Sequence, residues 1–165
     1  MNLFSDRNLK ILQGICKNKK FANGYVFYGL QGSFKNEAAK FFAKSMNCLN
    51  YDSVPCNECE NCVAFEKGSF IDFYEIKTPK MINIANIRDA QEAVKYGVAN
   101  AERLVVVIHA AERCTREAAN AFLKTLEEPP NGVCFILMTN NLSSILPTIR
   151  SRCQLIDFPV ISSEK

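Results

Sequence analysis

The chain has 165 residues, 48% of them hydrophobic and 22% charged, with a formal net charge of +3. That length suits one globular domain, and the composition excludes a disordered, fibrous or disulfide-stapled miniature fold. The mild positive excess does not argue for a dedicated nucleic-acid-binding face, which needs a clustered basic patch. The densest basic cluster, Lys17, Lys19 and Lys20, reads as a solvated loop. No apolar run reaches the roughly 18 residues of a membrane span. The opening MNLFSDRNLKILQGI lacks the apolar core and cleavage site of a signal peptide, so the chain is expected to be cytoplasmic.

Taken in chain order, residues 25–28 (YVFY) predict a short buried strand. Residues 36–47 predict a helix with Ala39, Phe42, Ala43 and Met46 on one face. A strand is expected over 70–76 and a helix over 84–96, with Ile84, Ile87, Ala90 and Val94 in phase. Residues 103–108 (RLVVVI) form the clearest buried strand. Thr115 opens a helix over 115–128 that Pro129-Pro130 stops. A strand over 133–139, a short helix over 143–150 and a last strand over 153–158 complete the pattern. Apolar strands separated by helices give a parallel sheet covered on both faces. The expected architecture is a five-stranded, three-layer α/β domain. Such sheets bind ligands at the carboxyl ends of their strands, which here means residues 29–36, 109–112 and 139–141.

The first of these segments, GLQGSFKN, lies between a strand and a helix, the setting of a phosphate-binding loop with the pattern G-x-x-x-x-G-K-[ST]. Gly29 and Lys35 match, and Gly32 adds a glycine inside the loop. Phe34 stands at the second glycine and Asn36 at the residue whose hydroxyl holds Mg²⁺. Phenylalanine brings a Cβ and a ring to a place where backbone should approach phosphate. An amide reaches further than a hydroxyl and suits the octahedral metal poorly. A plain strand-to-helix turn with a surface lysine explains the same residues. After the 103–108 strand, an ATPase places an acid for the metal and another for water; His109 and Ala110 stand there instead, with Glu112 two residues on. His109, the one histidine, reads as structural or, less simply, as catalytic.

Eight cysteines in a chain without an export signal point to thiols and metal ligation rather than disulfides. Four fall within fifteen residues: Cys48, Cys56, Cys59 and Cys62. Two overlapping C-x2-C steps and a nearby fourth thiol suit a closed tetrahedral Zn²⁺ site, which is structural rather than catalytic. Iron–sulfur ligation favours other spacings, and four unligated thiols is the remaining reading. Inserted between a helix and the second strand, the module at about 48–62 is expected to decorate the domain rather than build its core. Cys16, Cys114, Cys134 and Cys153 are expected to be small core residues.

At this point the residues resemble a known family. NAFLKTLEEPP, Asn120 to Pro130, is close to the signature of bacterial clamp-loader subunits of DNA polymerase III. Further matches follow in order: Asn23 to Phe27 as the entry strand, Ile84 to Arg88 as a helix start, Phe135 to Leu137 with Thr139-Asn140 as the sensor-1 strand, and LPTIRSRC, Leu146 to Cys153. The cysteine cluster resembles the family's zinc module. The resemblance implies a P-loop NTPase fold of the AAA+ class. It implies residues 1–165 as the nucleotide-binding-type domain, with the helical lid and collar domains absent from this chain.

Within the family, gamma/tau subunits carry the ATPase motifs and the delta-prime subunit carries a disabled site. Phe34, Asn36, His109 and Ala110 depart from the motor pattern, so the resemblance places the chain with delta-prime. It implies a non-catalytic subunit that holds no ATP in its loop of Gly29, Gly32 and Lys35, and that helps load the sliding clamp onto primer-template DNA beside gamma/tau and delta subunits. Ser151-Arg152-Cys153 is similar to the segment that carries an arginine finger, so Arg152 is expected to reach a neighbour's ATP; a surface arginine capping the preceding helix is the simpler reading of the residue alone. Two alternatives stay open: a gamma/tau-type ATPase with an unorthodox loop, and a zinc-knuckle nucleic-acid binder.

Overall fold

A computed structural model describes residues 3–50, 52–99 and 101–162. Five parallel strands form one sheet in the order β2-β3-β4-β1-β5: β1 Gly24–Tyr28, β2 Phe73–Ile76, β3 Leu104–Ile108, β4 Val133–Thr139 and β5 Gln154–Asp157. Every residue of β3 and β4 is buried. This is why those strands read as unbroken apolar runs instead of an alternation.

Side chains along each strand alternate between two cores. Tyr25, Phe27, Val107 and Ile136 pack against α1 (Asp6–Asn18) and α2 (Lys35–Met46) on one face. Val26, Val106, Phe135 and Leu137 pack against α4 (Ile84–Val94), α5 (Arg116–Glu127) and α6 (Pro147–Arg150) on the other. The expected three-layer α/β architecture is therefore the observed one. Among the described residues, no helix is long and apolar enough to cross a membrane.

The structure departs from the sequence reading in several places. Residues before 25 carry α1, where no element was expected. Ser5 caps it by accepting the Asn8 N–H, and its buried Leu12 and Cys16 face the core. Lys17 lies in its last turn and Lys19, at φ 52°, closes it, so the basic cluster is a helix terminus and not a free loop. A second short helix, α3 (Glu60–Glu66), starts inside the cysteine segment. Strand β2 begins only at Phe73, just after Asp72, whose carboxylate accepts the backbone N–H of Ala99 and Ala101 at 2.9 and 3.1 Å and whose carbonyl accepts that of Val105 at 3.0 Å. The helix expected over 143–150 is split. A single 3-10 turn covers Leu142–Ser144, and Pro147 starts α6 while holding Leu146 extended at ψ 136°. Cys16 and Cys134 are buried as expected, but Cys114 and Cys153 are only half-buried.

The cysteine segment is not a decoration. Cys48, Val54 and Cys62 are buried in the same cluster as Phe42 and Met46 of α2. Lys44 of α2 donates to the Asn57 side chain and to Glu66 Oε1 at 2.6 Å. Asn61 donates to the Asn47 carbonyl at 2.9 Å. The module is thus fastened to the carboxyl end of α2.

Candidate functional site

The strand order reverses direction at β1, which lies between β4 and β5 although the chain next visits β2. Loops leaving neighbouring strands part at such a point and open a crevice at the carboxyl edge. A cleft of about 800 Å³ lies there, lined by the loop after β1 (Gln31 to Glu37), Lys77 to Pro79 after β2, His109, Ala110, Glu112 and Arg113 after β3, and Met138 to Asn140 of β4 and beyond. All three segments expected to carry function meet in it. The sequence reading missed Lys77, Thr78, Pro79 and Arg113, which carry no motif.

Each loop residue has an identifiable local role. A Cβ on Gly29 would lie 2.1 Å from the Phe158 carbonyl oxygen, so glycine is required by the close approach of β5. Gly32 has φ +88°, a conformation that costs glycine little. Phe34 adopts φ 59° and ψ 31° at the start of α2, so its backbone takes the left-handed turn that a glycine would make more cheaply. Its ring is 42% exposed at the rim of the cleft. Lys35 is buried, and its ammonium donates to the carbonyls of Gly29 (2.7 Å) and Leu30 (3.2 Å), to Ser33 Oγ (3.3 Å) and to Asn140 Oδ1 (3.0 Å). The lysine and the sensor-like asparagine are thus in direct contact. Burial pushes the Lys35 ammonium below its ordinary pKa, and the nearby Glu112 carboxylate partly restores it.

Beyond β3, His109 Nε2 pairs with Glu75 Oε1 at 2.9 Å, and the His109 N–H donates to the Ile76 carbonyl. Its imidazole is bonded to β2, and the residue is only partly buried and lines the cleft. Ala110 takes φ 51°, again left-handed and without the excuse of glycine. Glu112 sits in a 3-10 turn, Ala111–Arg113, and its Oε2 is buried with no hydrogen-bond partner among the described residues. The Glu112 carboxylate, which with Glu37 lines the cleft, therefore has one oxygen without a structural bond among the described residues.

The sulfurs of Cys48, Cys56, Cys59 and Cys62 all lie within 4.8 Å of one another. Four thiolates about 2.3 Å from a central Zn²⁺ stand roughly 3.8 Å apart, so the cluster fits a tetrahedral ion with small adjustment. Backbone N–H groups already point at sulfur: Cys56 to Cys48 Sγ (3.3 Å), Cys59 to Cys56 Sγ (3.2 Å) and Cys62 to Cys59 Sγ (3.4 Å). Burial pushes the Cys62 thiol up to about 12 and raises Cys48. On Cys59 burial is outweighed by hydrogen bonds from the Leu49 and Cys62 backbone and the neighbouring thiols, which lower it to about 7. Four crowded thiols of this kind could hold a divalent metal. Cys114 and Cys153, whose thiols burial pushes up to about 11 and 12, stand outside this four-sulfur cluster.

Arg152 lies between the end of α6 and the start of β5. Its Nη1 donates to the Thr148 carbonyl (2.7 Å) and Ser151 Oγ (3.3 Å), and its Nη2 pairs with Glu127 Oε1 at 2.8 Å. The guanidinium caps the last turn of α6 and remains 38% exposed. It does not face the chain's own cleft, whose lining does not include it.

Residues 4–162 match the family described as "DNA polymerase III, delta subunit". The chain is 40% identical over 156 residues to DNA polymerase III subunit tau of Bacillus subtilis, covering 94% of this chain and 28% of that protein. It is 34% identical over 160 residues to subunit delta' of the same organism, covering 96% of this chain and 48% of that protein. A crystal structure of a DNA polymerase III gamma subunit-related protein from Thermotoga maritima superposes with a TM-score of 0.71 at 27% identity, over 96% of this chain and 47% of that one. The Holliday-junction motor RuvB of Thermotoga maritima, at 12% identity and a TM-score of 0.59, shares the fold over 94% of this chain and 45% of its own. The chain spans less than half the length of these relatives.

Proposed function

Because the chain belongs to the DNA polymerase III delta-subunit family of clamp-loader AAA+ proteins, we propose that it acts in the delta-prime role, as a subunit that assembles with ATPase neighbours without hydrolysing ATP itself. The observation that carries this reading is the end of β3. His109 and Ala110 occupy the place of the acids that an ATPase uses for Mg²⁺ and water, and His109 is tied to Glu75. The Lys35 ammonium adds support: its three N–H bonds are satisfied by oxygens of its own chain. In this role Arg152 reaches the γ-phosphate of ATP held by an adjacent gamma/tau subunit, where a guanidinium stabilises the charge of the transition state. The delta subunit, the sliding clamp and primer-template DNA are the remaining partners of the reading. The four cysteines hold a structural zinc ion.

A specific observation favours a second reading, a gamma/tau-type ATPase. The unpaired Glu112 oxygen lies in the cleft near Lys35, and a carboxylate there could stand in for the missing metal ligand. Calorimetric titration of the full-length protein with Mg-ATP separates the two. The delta-prime reading expects no tight binding and no turnover. Binding in the micromolar range with hydrolysis that a Glu112→Gln variant abolishes would remove it in favour of the second. In the loader reconstituted from full-length subunits, Arg152→Ala should lower ATPase kcat by about 10³-fold at each site it serves. An unchanged rate would remove the arginine finger.

A further inference from the structure

We infer that Glu127 is a positioning residue for Arg152: its carboxylate fixes the direction in which the guanidinium faces a neighbouring subunit. The inference rests on the arginine-finger reading of Arg152. Glu127 is the last residue of α5 and lies far from Arg152 in sequence, yet its Oε1 is 2.8 Å from Arg152 Nη2. The other contacts, Thr148 O and Ser151 Oγ, both grip Nη1 from the arginine's own turn. They hold one corner of the planar group and leave it free to swing about that corner. A second anchor on Nη2, from a different helix, removes the swing.

The anchor is itself fixed. Pro129 and Pro130 end α5 directly after Glu127 and Glu128, so the backbone that carries the carboxylate cannot lengthen or fray into another turn. The pair is half-exposed, with side-chain accessibilities of 38% and 48%, and exposed ion pairs contribute little to folding. Its geometry therefore matters more for direction than for stability. Guanidinium carries five N–H donors. Thr148, Ser151 and Glu127 engage both donors on Nη1 and one on Nη2, which leaves Nε–H and the second Nη2–H for an anion outside the chain. A group that stabilises a transition state must be held within a fraction of an ångström, and misplacement by about 1 Å can cost on the order of 10²-fold in rate.

The test compares four variants in the loader reconstituted from full-length subunits with clamp and primed DNA: Glu127→Gln, Glu127→Asp, Arg152→Ala and the Glu127→Gln/Arg152→Ala double. Glu127→Gln keeps the size of the side chain, and assembly by gel filtration and melting temperature are checked for each. The expected result is a kcat about tenfold lower for Glu127→Gln with KM for ATP within twofold, partial recovery in Glu127→Asp, and a double variant no slower than Arg152→Ala alone. An unchanged kcat in Glu127→Gln, beside a slow Arg152→Ala, would overturn the positioning role and leave the finger standing. A raised kcat would overturn it too, since the pair would then restrain the arginine. So would a loss that persists in the Arg152→Ala background. An Arg152→Ala variant at the full rate would instead sink the finger reading on which the inference rests.

Discussion

Replacing Gly29 with alanine asks why the first glycine of the loop is there. In a working nucleotide site that glycine lets backbone approach phosphate; here a different cause is visible without any ligand. A Cβ at this position would sit 2.1 Å from the Phe158 carbonyl oxygen and 3.2 Å from Ser33 Oγ. The first contact is shorter than any packed Cβ tolerates, and its partner is backbone, which cannot rotate away. Either β5 or the loop must shift by about 1 Å, an overpacking strain that typically costs about 1–3 kcal/mol. The same shift breaks the bonds that close the sheet at this corner, Phe158 N–H to Tyr28 O (2.8 Å) and Gly29 N–H to Thr139 O (3.2 Å). Each contributes on the order of 1 kcal/mol, which places the expected destabilisation at about 3–5 kcal/mol. For a domain of this size that corresponds to a fall in melting temperature of roughly 6–20 °C. Circular-dichroism melting of the nucleotide-free protein reads it directly. Gly32→Ala is the control: it has φ +88° and nothing within 4 Å of an added Cβ, so only backbone strain of about 1 kcal/mol is expected. A Gly29→Ala protein that melts within about 2 °C of the parent would refute packing as the cause.

Two further outcomes follow from the site geometry. Cys59→Ser should reduce bound zinc, measured by atomic emission, from stoichiometric to trace. It should also destabilise the domain by about 3–5 kcal/mol, with faster amide exchange at the carboxyl end of α2, since Cys48, Val54 and Cys62 share that helix's core cluster; full zinc retention would reject the four-thiolate site. For Lys35, burial lowers the folded-state pKa, so the folded protein binds fewer protons than the unfolded chain between that value and the ordinary lysine pKa of about 10.4. Stability relative to a Lys35→Met variant should therefore rise with pH across that alkaline window and be flat below it. Parallel urea-unfolding curves for the two proteins at every pH would show that the ammonium is not desolvated.

The strands were legible because a parallel sheet covered on both faces demands continuous apolar runs, and RLVVVI and VCFILMT leave no other reading. The helices were legible where the apolar stripe was long and capped, as in α5 between Thr115 and Pro129. Legibility failed where a long-range bond overrode local pattern. Apolar Phe70 and Ile71 look like strand, yet β2 starts only at Phe73, after an Asp72 whose carboxylate is engaged by the backbone of Ala99 and Ala101, and no local pattern reveals those bonds. Helix α1 carried a readable signal in Ser5, Leu12 and Cys16, set on one side by Asn8 donating to the Asp157 carbonyl at 2.8 Å. The cysteine spacing disclosed a metal-type cluster, but its burial against α2 depended on Lys44 and Asn61, whose charges and amides are indistinguishable in sequence from solvated surface.

The loop after β1 shows why motif spacing and chemistry must be judged separately. Gly29 is required by Phe158, and Lys35 is bonded to the loop carbonyls and Asn140, so both motif residues have structural work that does not involve a nucleotide. Residues with such work persist in the sequence whether or not phosphate is ever bound. Phe34 and Ala110 point the other way. Each holds a left-handed conformation at a cost of about 1 kcal/mol that glycine would avoid. The backbone of the cleft is therefore set by the fold around it and tolerates side chains that do not favour its shape. A glycine and a lysine at motif spacing consequently carry little weight for ATP hydrolysis. The weight falls on residues whose only use would be chemical, the acids after β3, and there the chain offers His109 bound to Glu75 and Glu112, whose Oε2 has no hydrogen-bond partner among the described residues.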